Sequence, residues 1–203
     1  MGHHTQPRLS DSPEVDGGTE VFSDGANKVI SIPLSVDAFL AVEDARMNAL
    51  IALYDKNRRD GEPPSATSLS PEKLFSTGMM SRTHCLRVGT SSDTIQFSVW
   101  AEDANFDGYR SMQNARFDDL VSYSVMLDAL KKQLADVLRD REPKYYEIKG
   151  IVNDHYYYYT KAILPLGDEQ GQIIKCLVPF TDKLPDIPPD LREEFCLADI
   201  YEE

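Results

Sequence analysis

Four groups of residues in this 203-residue chain have types and spacings that suit chemistry. The first is Asp103-Ala104-Asn105-Phe106-Asp107-Gly108, with side-chain oxygens at positions one, three and five and glycine at six. That is how an EF-hand calcium loop begins, because calcium needs several oxygens folded around a sharp turn. The twelfth position is Asn114 instead of the bidentate Glu, and no flanking helix pair is evident, so no metal is assigned to Asp103, Asn105 and Asp107. The second group is His84 and His155, the histidines of the segment expected to fold, each at a strand start and read as an ordinary strand-edge residue. The third is Cys85, Cys176 and Cys196, an odd set without a CxxC pair, which speaks against a disulfide framework and for a reducing cytoplasm.

The fourth group is the run Tyr156 to Tyr159. Strand alternation sends two of these rings toward covering helices and two outward. An inward phenol either packs the core or offers its hydroxyl to a ligand. Tyr157 and Tyr159 are taken as the pocket candidates, together with Trp100, Tyr109 and Phe117, although parity alone does not decide between the two tyrosine pairs. No G-x-S-x-G elbow, Gly-rich phosphate loop, HExxH or paired carboxylates accompany them. Nothing here specifies a reaction.

The elements that must position these groups follow from periodicity and turn chemistry. Apolar residues Phe39, Val42, Met47, Leu50, Ile51 and Leu53 recur every three or four positions, predicting one helix over 36–59 that Gly61 and Pro63-Pro64 end. Ser70-Pro71 opens a short helix that Gly78 closes. Segments 84–89 and 94–100 read as a hairpin turned by Ser91-Ser92-Asp93, and 118–141 as a second amphipathic helix. From Pro143 to Thr181 the dominance of Val, Ile, Tyr and Thr predicts three strands, turned at Asn153-Asp154 and Gly167 to Gly171. The fold class expected is therefore α+β: a five-stranded antiparallel sheet with helices on one face and an additional N-terminal helix. Residues 1–30 read as a disordered acidic segment, 31–181 as the single domain and 182–203 as an acidic, Pro-containing tail.

Charge narrows the partners. The net −13 divides into −3 over residues 1–30, −6 over 182–203 and −4 between them. No basic stripe is available to neutralise phosphates, so nucleic acid and anionic membrane surfaces are not expected as partners. No apolar run reaches the roughly 18 residues of a membrane helix, and the N-terminus lacks a secretory core. A cytoplasmic location is expected.

Five stretches carry a resemblance: RRDGEPPS (58–65), SPEKL (70–74), LRVGTSSDTIQFSVW (86–100), LRDREPKYYE (138–147) and YYYYTKAILPLGDEQGQIIKCLVPF (156–180). In this order, hairpin then helical crossover then three strands, they resemble a compact bacterial PAS-like sensory family over about residues 36–181. The chain departs from that pattern after the second strand, with Ala101-Glu102-Asp103 where a Gly-Thr pair is common. The resemblance implies a free-standing sensory or regulatory module with a small cavity between crossover and sheet, binding a small ligand or a partner protein and signalling through protein contacts, without catalysis. It also implies a homodimer paired through the leading helix, with Phe39, Val42, Met47, Leu50 and Leu53 at the contact, and it requires no particular cofactor. Haem ligation in such a pocket draws its histidine from the crossover, which here has none, and the flavin-photosensor subtype lacks its cysteine. The alternative is a small α+β enzyme with a cone-shaped cavity, using Asp and His.

Overall fold

The computed structural model describes residues 18–89, 95–104, 113–117, 124–153 and 155–183. In chain order these form β1 (Glu20–Ser23), β2 (Lys28–Leu34), α1 (Val36–Val42), α2 (Ala45–Asn57), α3 (Pro71–Thr77), β3 (Thr83–Arg87), β4 (Gln96–Val99), α4 (Ser124–Asp140), β5 (Lys144–Val152), β6 (His155–Gly167) and β7 (Ile173–Asp182). The strands make one antiparallel sheet in the order β1-β2-β5-β6-β7-β3-β4.

The class is α+β, but the sheet has seven strands, not five. The added pair comes from residues 20–34, where disorder and a lead-in were expected. Asp24 and Gly25 reverse the chain there: Gly25 sits at φ 85°, and the Asp24 amide donates to the Asn27 carbonyl at 3.1 Å. β2 then alternates, burying Val29 and Ser31, and pairs along β5 from Lys28↔Ile151 to Leu34↔Tyr145. The pairing covers an edge of the meander that would otherwise offer unpaired backbone groups. Gly150 on β5 is forced by this approach, since a Cβ there would lie 2.4 Å from the Lys28 carbonyl oxygen.

Helices also cover both faces, where one covered face was expected. α4 lays Val125, Leu130, Leu134 and Val137 onto the face that carries Ile148, Tyr157, Ile163 and Val178. The opposite face, with Tyr145, Ala162, Leu164 and Leu177, is covered by Phe39 of α1, Met47, Leu50, Ile51 and Tyr54 of α2, and Leu74 of α3. A near-continuous apolar run in β6 and β7 is what burial on two faces requires.

The expected helix over 36–59 is two helices. Glu43 leaves the helical region (φ −97°, ψ 157°), and Asp44 caps α2 by accepting from the Arg46 and Met47 amides. Glu43 is pulled out because its carboxylate, fully buried, accepts from the Thr160 hydroxyl and lies 3.6 Å from Lys183 Nζ. This break turns both pieces onto the sheet and removes the proposed dimer face. Phe39, Met47 and Leu50 are wholly buried in the chain's own core and Leu53 is half-buried, leaving Val42 as the exposed member. Each large apolar side chain so buried contributes about 1.5–3 kcal/mol, which a partner's surface does not have to supply. α3 follows its sequence signals, with Pro71 in its first turn and Gly78 closing it at φ 73°. Among the described residues no helix is long and apolar enough to cross a membrane.

Candidate functional site

Strand pairing decides what stands on the α4 face. Tyr157, Tyr159, Lys161 and Ile163 share one side of β6, and Lys161 lies opposite Tyr146 on β5 and Phe180 on β7. His84 on β3 lies opposite Val178, two residues from Phe180 on the same side. The outcome is a continuous cluster of rings. His84 stacks on Phe180 (centroids 5.2 Å, 20°) and packs on Trp100 at 4.3 Å. Phe97 meets His84, Trp100 and Phe117 at 5.8, 5.1 and 5.1 Å.

The polar groups inside this cluster are unusual for their setting. His84 Nδ1 accepts the Ala101 backbone N–H at 3.1 Å, which puts the proton of the neutral ring on Nε2. Burial, and then the charge of Lys161, holds its pKa down to about 3. Lys161 is only 5% exposed, in the middle of a central strand. Burial pulls its ammonium down to about 7. Its Nζ stands 5.9 Å from the centre of the Tyr159 ring. Such a ring contact supplies about 0.5–2 kcal/mol, whereas burying an ammonium costs several. Among the described residues no carboxylate forms an ion pair with Lys161.

An open cleft of about 770 Å³ reaches this cluster from outside, with Trp100, Ala101 and Ala104 in its wall and Phe75, Met80 and Glu102 around it. Ala101 and Ala104 pack with Phe180, and Trp100 and Tyr159 lean on them. The wall of the cleft is thus the outer side of the ring cluster. The departure at Ala101-Glu102-Asp103 stands here. Asp103 is held by the Ser81 hydroxyl at 2.8 Å and Arg82 Nε at 3.4 Å. Its carboxylate is therefore engaged by protein groups, whereas Asn105 and Asp107 of the calcium-like loop lie outside the described residues. Among the described residues no group of three His, Cys, Asp or Glu side chains could hold a metal ion.

Of the sequence candidates, Trp100 lines the cleft, Phe117 is buried against Phe97, and Tyr157 and Tyr159 face α4 from β6. Burial raises the Tyr159 phenol well above its usual range. Tyr109 lies outside the described residues, as does the side chain of His155. Cys176 is buried, its thiol pushed up to about 12, and Cys85 is half-buried; both are free thiols inside strands. Sequence reasoning missed His84, Phe97, Lys161 and Phe180 as site residues. The signal for Lys161 was present: it shares parity with Tyr157 and Tyr159, so whichever way that pair points, Lys161 points too. No family model matches the chain, and no curated protein and no solved structure matches it.

Proposed function

We propose that this chain is a PAS-like sensory or regulatory module that binds a small ligand or a partner protein and signals through protein contacts, without catalysis. The observation that carries the reading is the ring cluster of Phe97, Trp100, His84 and Phe180, whose Trp100 stands in the wall of an open cleft. Apolar walls with a few fixed polar groups are the composition of small-molecule sites. The resemblance is supported by the way the hairpin β3–β4 meets the meander β5–β6–β7 edge to edge through β3 and β7, with α4 in the connection. A cytoplasmic setting and a homodimer belong to the same reading, although the dimer can no longer use the buried stripe of α1 and α2.

The enzyme alternative calls for a carboxylate converging on His84 or His155. Around His84 the described residues bring rings and a lysine, and burial holds its imidazole toward the neutral form. The site favours binding. Trp100 is the chain's single tryptophan and lies in the cleft wall, so its emission reports on occupancy. A panel of small carboxylates, amines and neutral aromatics should contain members that shift this emission saturably and raise the melting temperature. A panel that moves neither would overturn the reading.

A further inference from the structure

We infer that residues 184–203 of this chain fold back onto the sheet, on the face of α1 and α2, and cover the end of it that lies beyond Glu43. Strand register lays out that end. Val21, Ile30, Lys149 and Tyr158 stand side by side in one row, and Lys28, Ile151 and Tyr156 in the next. Their sequence neighbours Phe22, Val29, Ile148 and Tyr157 pack under α4, so pleating sends these residues to the opposite face. α1 runs toward them, and the chain turns back at Glu43, whose carboxylate accepts from the Thr160 hydroxyl one row short of Tyr158. Among the described residues, Val21, Ile30 and Ile151 join none of the apolar clusters that the helices close. Val21 is exposed, and so is Val42 at the end of α1. Apolar side chains spread in this way over adjoining strands mark a surface that something else covers.

The chain itself delivers the cover to this corner. β7 ends at Asp182, and the Lys183 amide then donates to the Tyr158 carbonyl at 2.8 Å while its ammonium donates to the Val42 carbonyl at 2.7 Å. β7 runs antiparallel to β6, so it points the chain along β6 toward Tyr156. Residues 184–203 lie outside the described residues, and their sequence places Leu184, Ile187, Leu191, Phe195, Leu197 and Ile200 two to four positions apart. From β6 to β1 the face spans about 14 Å, at roughly 4.8 Å per strand. A handful of extended residues crosses that distance. Residues 1–17 adjoin the same face through β1, but Met1, Leu9 and Val15 are their only large apolar side chains.

Charge selects the same occupant. Lys28, Lys149 and Lys183 stand on this corner with Glu43 and Glu147, 3 − 2 = +1 in a chain of net −13. Residues 184–203 hold seven acids and one base, −7 + 1 = −6. They bring opposite charge to the lysines, whereas a second copy laid on the same face would set lysine against lysine.

Zero-length carbodiimide cross-linking of the full-length chain, read by peptide mass spectrometry, tests this. A mixture of unlabelled and isotope-labelled chains separates links within a chain from links between chains. We expect Lys28 and Lys149 to be joined to Asp190, Glu193 or Glu194 of the same chain, with Lys175 at the other end of β7 left unjoined. Leu191→Ser with Phe195→Ser should weaken the docking by about a hundredfold or more, erasing these links and raising the emission of a dye that lights up on apolar surface. Val21→Ser, on the other side of the contact, carries the same expectation at about tenfold. Links that join labelled to unlabelled chains overturn the inference in favour of a second copy. Links that persist in the double variant, reach Lys175 equally or do not form at all overturn the docking itself, as does dye emission unmoved by the double variant.

Discussion

Replacing Lys161 with methionine should stabilise this protein, by an amount that depends on pH. The folded state lowers the lysine from 10.5 to about 7 by burial. Between those values the unfolded chain binds more protons than the folded one, so stability rises with pH across the window. The penalty is complete below pH 7 and gone above 10.5. At 1.36 kcal/mol per pKa unit it amounts to about 5 kcal/mol at pH 6 and about 2 kcal/mol at pH 9. Losing the contact with the Tyr159 ring returns about 1 kcal/mol. The net expectation is a gain of about 4 kcal/mol at pH 6 and about 1 kcal/mol at pH 9. Urea unfolding followed by circular dichroism reads this directly. With a slope of roughly 2 kcal/mol per molar, the midpoint should rise by about 2 M at pH 6 and by about 0.5 M at pH 9. A midpoint at pH 6 equal to or below that of the unaltered chain would refute the reasoning. A gain of the same size at both pH values would refute the proton linkage.

Three further changes test the frame that holds the site. Tyr54 is fully buried with its hydroxyl donating to the Pro165 carbonyl at 3.0 Å, so Tyr54→Phe should cost about 1–3 kcal/mol in chemical denaturation; no measurable loss would mean that this bond does not form. Gly150→Ala places a methyl 2.4 Å from the Lys28 carbonyl oxygen and should cost about 1–3 kcal/mol by forcing β2 off β5; an unchanged melting temperature would place β2 elsewhere. Asp44→Ala removes the cap that starts α2 after the Glu43 break and should cost about 1 kcal/mol in the same assay; an unbroken helix over 36–57 would show no such loss.

The meander and α3 were legible because their signals are local. Val, Ile and Tyr runs bounded by Asn153-Asp154 and the Gly167 to Gly171 turn give strands, and Pro71 with Gly78 frames a helix. β1 and β2 were harder to see because their flanks are acidic and short. Still, Asp24-Gly25 between Val21-Phe22 and Val29-Ile30 is a hairpin signal of ordinary strength. The break at Glu43 was hidden inside a continuous helical period, since a tertiary partnership with Thr160 and Lys183, more than a hundred residues away, decides it. The same holds for the site. Strand parity ties Lys161 to Tyr157 and Tyr159, but which face they share depends on pairing with Phe180 and Tyr146, and that is a property of the whole sheet. His84 read as a strand-edge residue because its neighbours Trp100 and Phe180 arrive from two other segments.

Native mass spectrometry of freshly purified protein tests most directly whether the chain holds a small ligand. We predict a population carrying the extra mass of a small molecule, lost on denaturation. The bare chain mass alone, with Trp100 emission unmoved by the panel of small molecules, would contradict it.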